Sequence, residues 1–189
     1  MISNAIDFED IEKSNLMISA LSSEDEGERQ TAIGEVLADP NAFNPVVTYV
    51  LSHRLLEYDK IYEAMFWFYL SQVRTRTDAN ICKDGTAREA ASLLSNTFGP
   101  AINEIAFRDL DTLKIVVEKV VAFAEANEET YDRRWIDLHG MDAVISGLDA
   151  DAEPAETSAP VDTWAEIKKT TVANYYSDFI KYAINKEED

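Results

Sequence analysis

The sequence predicts an all-α fold: a single-domain multi-helix bundle over residues 1–189, in which a C-terminal helix docks after an acidic loop. Three observations carry this. Only six glycines and five prolines interrupt 189 residues, so turn-forming positions are sparse. Apolar residues recur mostly at spacings of three and four rather than two, the period of a helix face. Hydrophobic residues make up 46% of the chain and aromatics 10%, enough for one domain of this length to bury a real core.

A first helix is expected after Ser22 and Ser23. Their hydroxyls can cap its N-terminus, while Glu24, Asp25 and Glu26 favour the positive end of its dipole. It buries Ile33, Val36 and Leu37 and stops before Pro40. Between Pro45 and Glu57, Val47, Val50, Leu51, Arg54 and Leu55 line one face of a second helix, closed by "EYD" at 57–59. Asp59 is then expected to cap the next helix, which holds the aromatic run "FWFY" at 66–69. In that helix Ile61, Met65, Phe68 and Gln72 form one stripe and Tyr62, Phe66, Tyr69 and Val73 another, with Trp67 and Leu70 between them. Apolar residues on nearly every side mark a helix surrounded by others, so the aromatics read as core.

From Asp84 a further helix carries Ala87, Ala90, Ala91, Leu94 and Phe98. Gly99 suits its left-handed C-terminal position, and Pro100 the first turn of a separate short helix, "PAINEIAF". After Asp109 and Asp111, Leu113, Val116, Val117, Val120, Val121 and Ala124 keep helical spacing over three turns. A helical turn or two is expected around Tyr131 and Trp135, with a break at Gly140 and a short segment ending at Gly147. Residues 147–162 lose large apolar side chains and gain Pro, Ala and acids, as a loop does. Asp162 should cap the last helix, 163–185, whose Trp164, Ile167, Thr171, Tyr175, Phe179 and Tyr182 repeat along one face.

Charge narrows the function classes. Seventeen Lys and Arg against thirty-six Asp and Glu give a formal net charge of -19, which repels phosphate backbones and anionic lipid surfaces. Nucleic acid and membrane are therefore poor partners, and a basic protein surface is a better one, although acidity also serves solubility. The start of the chain has no basic segment followed by an apolar one, as a secretory signal would. The longest uncharged apolar run, Ala64 to Leu70, is far short of the roughly 20 residues that span a bilayer. A soluble, cytoplasmic protein is expected.

No reaction is legible. Cys82 is the only cysteine, so neither an internal disulfide nor a cysteine-based zinc cluster can form. His53 and His139 are the only histidines, and "DLH" at 137–139 resembles half of a metal site only loosely. Phosphate loops, nucleophile elbows and Cys–His pairs are missing. The expectation is a protein that is no enzyme and needs no cofactor. Gln72, Arg74 and Arg76 could cradle an anion, but two-residue spacing points the arginines apart on a helix. One is expected to pair with an internal acid and the other to be solvated.

The distribution of charge says more. Residues 137–166 hold eight acids, Asp137, Asp142, Asp149, Asp151, Glu153, Glu156, Asp162 and Glu166, and no lysine or arginine. Glu24, Asp25, Glu26 and Glu28 form a second acidic knot, whereas Arg74, Arg76, Lys83 and Arg88 cluster mid-chain. The candidate partner-binding residues are Glu24, Asp25, Glu26, Glu28, Asp149, Asp151, Glu153 and Glu156.

Three stretches, "YEAMFWFYLSQVRTR", "FGPAINEIAF" and "TYDRRWIDLHGM", lie within residues 60–141. Together they resemble small helical bacterial immunity proteins, of the kind paired with secreted antibacterial toxins of the polymorphic and type VI systems. The resemblance implies stoichiometric binding of a cognate toxin and occlusion of its active site; it carries no particular binding residues with it. A helical adaptor or scaffold in another bacterial complex would leave the same traces.

Overall fold

The computed structural model describes residues 8–139 and 157–187. Its helices are α1 (Phe8–Leu21), α2 (Glu26–Ala38), α3 (Pro45–Glu57), α4 (Ile61–Ile81), α5 (Ala87–Ala106), α6 (Leu110–Ala126) and α7 (Trp164–Glu187). Short 3-10 turns occupy Pro40–Ala42, Arg133–His139 and Val161–Thr163. The architecture is the all-α bundle that the spacing predicts. The break expected at Gly140, the segment to Gly147 and most of the acidic loop lie outside the described residues.

The bundle is built around α4, which packs against α3, α5, α6, α7 and the Arg133–His139 turn. Trp67, Phe68, Tyr69 and Leu70 are buried, and Phe66 meets Trp67 and Phe123 edge to face at 5.1 and 5.6 Å. The aromatic run is core, because α3, α5, α6 and α7 pack around this part of α4. Its C-terminal half buries polar residues as well. Ser71, Thr75 and Thr77 turn their hydroxyls back onto the carbonyls of Trp67, Ser71 and Val73, which satisfies them within the helix. The Ser71 hydroxyl also meets that of Thr48 on α3 at 2.7 Å.

Several boundaries differ from expectation. A helix, α1, precedes the one expected first, and it packs on α2 and α3. The cap of α2 is Asp25, which accepts from the Glu28 N–H at 2.9 Å; the Ser23 hydroxyl instead donates to Glu28. Ile33 and Val36 are buried as expected, but Leu37 is exposed. Asp59 does not cap α4. It sits at φ 58, and the N–H groups of Asp59 and Lys60 reach back to the carbonyls of Leu56 and Leu55. That is the Schellman closure of α3, with an aspartate at the left-handed position usually taken by glycine.

Gly99 and Pro100 do not separate two helices. Both lie inside α5. Pro100 removes one N–H, but packing on α4 holds both flanks together: Ile102 and Ala106 are buried, and the Tyr69 hydroxyl donates to Asn103 at 2.9 Å. Gly99 serves close approach. A Cβ there would lie 3.2 Å from the Phe68 ring and 3.1 Å from the Asn103 amide.

The helix expected after Asp109 and Asp111 is α6: Leu113, Val116, Val117, Val120 and Ala124 are buried, Val121 is half-buried, and Asp109 caps the helix by accepting from the Thr112 N–H. α7 docks on α4 and α6 through buried Thr171, Val172 and Tyr175, with Trp164, Ile167 and Phe179 half-buried and Tyr182 exposed at the far end. Asp162 lies exposed inside the Val161–Thr163 turn that leads into the helix.

Candidate interaction surfaces

The "TYDRRW" stretch anchors the bundle from within. Asp78 on α4 is fully buried and accepts from the Tyr131 hydroxyl at 2.9 Å, the Trp135 indole at 2.8 Å and the Arg133 guanidinium at 2.8 Å. Burial pushes its pKa up to about 6 against the pull of Arg133, Trp135 and Tyr131. Arg133 continues to Glu129, which also receives Lys168 of α7 at 2.8 Å and lies 3.5 Å from Arg74. Burial would raise the Glu129 carboxyl, but Arg133, Arg74 and Lys168 outweigh it and hold it below the ordinary value. Arg74, 1% exposed, also donates to the Pro40 carbonyl and the Asn41 side chain. It is the internally paired arginine that the spacing predicts.

A second buried acid corrects the sequence reading. Asp137, counted there with the acidic loop, is 2% exposed and accepts from the hydroxyls of Thr157 and Ser158 at 2.7 and 2.5 Å. The chain from 157 onward is thereby held beside α4, where Ser158 bridges to Cys82 and the Ala159 N–H reaches the Ile81 carbonyl. Burial, with Asp137 adding to it, pushes the Cys82 thiol up to about 12.

The acidic knot sits at the α1–α2 corner with all four side chains exposed. Asp25 is committed to the cap. Glu26 accepts from Arg29, Gln30 and Tyr58, and these hydrogen bonds hold its carboxyl below the ordinary value. Glu28 is tied to Ser23. The knot is therefore an ordered negative surface. Asp149, Asp151, Glu153 and Glu156 lie outside the described residues, so the two acidic stretches are not placed relative to each other.

A surface of opposite character runs between α5 and α7. A cavity of about 450 Å³ is lined by Arg76, Arg88, Asn96, Asn174 and Tyr175 among others. Next to it lies one of about 240 Å³ bounded by Tyr69, Phe107, Phe179 and Tyr182, and Arg76, Tyr175 and Asp178 belong to both. The Arg76 guanidinium lies over the Tyr175 ring at 4.9 Å, and the Tyr175 hydroxyl donates to Gln72 at 3.0 Å. Of the mid-chain basic cluster read in the sequence, only Arg76 and Arg88 line this groove. Arg74 turns inward, and the Lys83 backbone joins the Thr157 carbonyl.

Sequence reasoning missed the groove, since its walls come from residues about 90 apart. The histidines do not converge: His53 lies 3.5 Å from Glu57, and His139 packs edge-on to Trp135. Among the described residues no helix is long and apolar enough to cross a membrane. No family model, no curated protein and no solved structure matches the chain.

Proposed function

We propose that the chain is a stoichiometric protein-binding module of the immunity type, which neutralises a cognate antibacterial toxin by covering its active site. The partition of charge carries this reading. The internal network takes Arg74, Arg133 and Lys168 against Asp78 and Glu129, three cations to two carboxylates. With the buried Asp137, the interior holds as many carboxylates as cations, so burial leaves the net surface charge unchanged. What faces solvent thus keeps the formal charge of -19, a field suited to steering a basic cleft onto the chain and rejecting other partners. The rigid helical frame adds pre-organisation, which lowers the entropic cost of binding.

The test is co-expression of the chain with the product of the adjacent gene. A one-to-one complex that restores growth supports the reading; toxicity unchanged by the chain, with no complex, contradicts it. Neutralising Glu24, Glu28, Asp149, Asp151, Glu153 and Glu156 should then slow association at low salt. The slowing should fade as the Debye length falls to about 8 Å. A second reading, a helical adaptor, is favoured by one observation: the α5–α7 groove is a further surface of opposite charge. Simultaneous capture of two different partners would select it.

A further inference from the structure

Six of the eight arginines pair with a carboxylate: Arg29, Arg54, Arg74, Arg108, Arg133 and Arg134. That is the expected fate of an arginine among thirty-six acids. Among the described residues the two that make no such pair are Arg76 and Arg88, and both line the groove between α5 and α7. We propose that this groove receives an extended peptide segment of a partner protein, with an acidic side chain seated between Arg76 and Arg88 and a neighbouring apolar side chain against Phe107 and Tyr182.

The geometry favours a peptide over a free phosphate or nucleotide. The Arg76 guanidinium lies over a buried tyrosine ring, its carbon 4.9 Å from the centroid, and the hydroxyl of that ring is itself hydrogen-bonded. The planar fork of Arg76 is thus set in advance for a carboxylate. Asn96 and Asn174 line the same cavity, and a side-chain amide both donates and accepts, as a peptide backbone requires. Asp178, paired with Lys181 at 3.6 Å, stands in both cavities and opposes a multiply charged anion more than a single carboxylate. At the apolar end, Phe107 and Tyr182 are 43% and 41% exposed and meet at a tilted angle with ring centroids 5.5 Å apart, forming a shelf for an aliphatic or aromatic side chain. The two cavities share Arg76, Tyr175 and Asp178, so a segment that entered both would pass Arg76. The inference does not depend on the toxin-binding reading, because the groove and the acidic knot share no residue.

The test uses the full chain against an array of short acetylated, amidated peptides. Each carries one glutamate beside one leucine or phenylalanine, with glutamine-for-glutamate counterparts, and binding is read by fluorescence anisotropy. Binding should require the acid and should weaken about tenfold or more in Arg76→Gln and in Arg88→Gln. It should be unchanged in Arg108→Gln, an exposed arginine on the stretch just after α5 that pairs with Glu104. In the unaltered chain, the bound peptide should shift the Arg76 Nε–H and Tyr182 ring resonances. An array with no acid-dependent binder, binders indifferent to both substitutions, or inorganic phosphate binding these arginines where no peptide does, would each overturn the proposal.

Discussion

Arg74 and Arg76 stand two residues apart on α4 and meet opposite environments. Arg74 is 1% exposed among Glu129, Pro40 and Asn41, whereas Arg76 is exposed, lies over the Tyr175 ring and pairs with no carboxylate among the described residues. A helix advances about 200° over two residues, so one arginine faces the interior network and the other the groove. The comparison separates two uses of charge. Inside, the arginines and Lys168 are matched to buried carboxylates, and the network ties the "TYDRRW" turn and α7 to α4. In the groove, donors are left for a molecule that arrives from outside.

The largest perturbation removes α7, which serves both regions. Truncation at Pro160 takes Lys168 from Glu129 and uncovers the surface beneath Val172 and Tyr175. The shortened chain should aggregate or melt far below the full one. A truncated chain that melts like the full chain would make α7 a detachable arm. Next is Asp78→Asn, which removes one of the two carboxylates that Arg133 pairs with and leaves it Glu129 alone. A loss of about 3–5 kcal/mol in chemical denaturation is expected, and a loss near zero would show that the network is not tied through Asp78.

The same carboxylate sets a pH dependence. Its folded pKa, about 6, lies above its ordinary value of 3.8, so the folded chain takes up this proton before the unfolded chain does. The contribution is complete below about 3.8 and is lost as pH rises through about 6. Glu129 works in the other sense. Its folded pKa is depressed, so its contribution is present above the ordinary 4.5 and is lost as pH falls through the folded value. A carboxyl-carbon NMR titration should show one aspartate with a midpoint near 6, and its absence would mean that the three donors outweigh burial.

A smaller effect separates shape from steering at the acidic knot. Asp25→Ala removes the α2 cap and should cost about 1 kcal/mol. Glu24→Gln should leave stability within about 0.5 kcal/mol while slowing association with a basic partner. Equal thermal shifts in the two variants would erase the distinction.

What was legible followed from local physics. Pro45–Glu57, α4 and α6 were found from apolar spacing, and the opposite fates of Arg74 and Arg76 from helical geometry. α1 was not found, because its buried side includes Ser14 while Phe8 and Leu16 lie exposed, which blurs the stripe. Gly99 and Pro100 carry a helix-ending signal that packing on Phe68 and Asn103 overrides. Asp137 reads as one of a run of surface acids, and only the return of Thr157 and Ser158 makes it internal. The groove had no sequence signal beyond Arg76 and Arg88 standing in one basic cluster, since its other wall arrives with α7.

The division of charge between interior and groove is tested most directly by Arg74→Gln beside Arg76→Gln, each measured for denaturant stability and for binding of the acidic peptides. Arg74→Gln should lose about 3 kcal/mol or more and, wherever it remains folded, bind peptide as the parent does. Arg76→Gln should keep its stability within about 0.5 kcal/mol and lose binding. Equal stability losses in the two variants, or binding untouched in Arg76→Gln, would contradict the account.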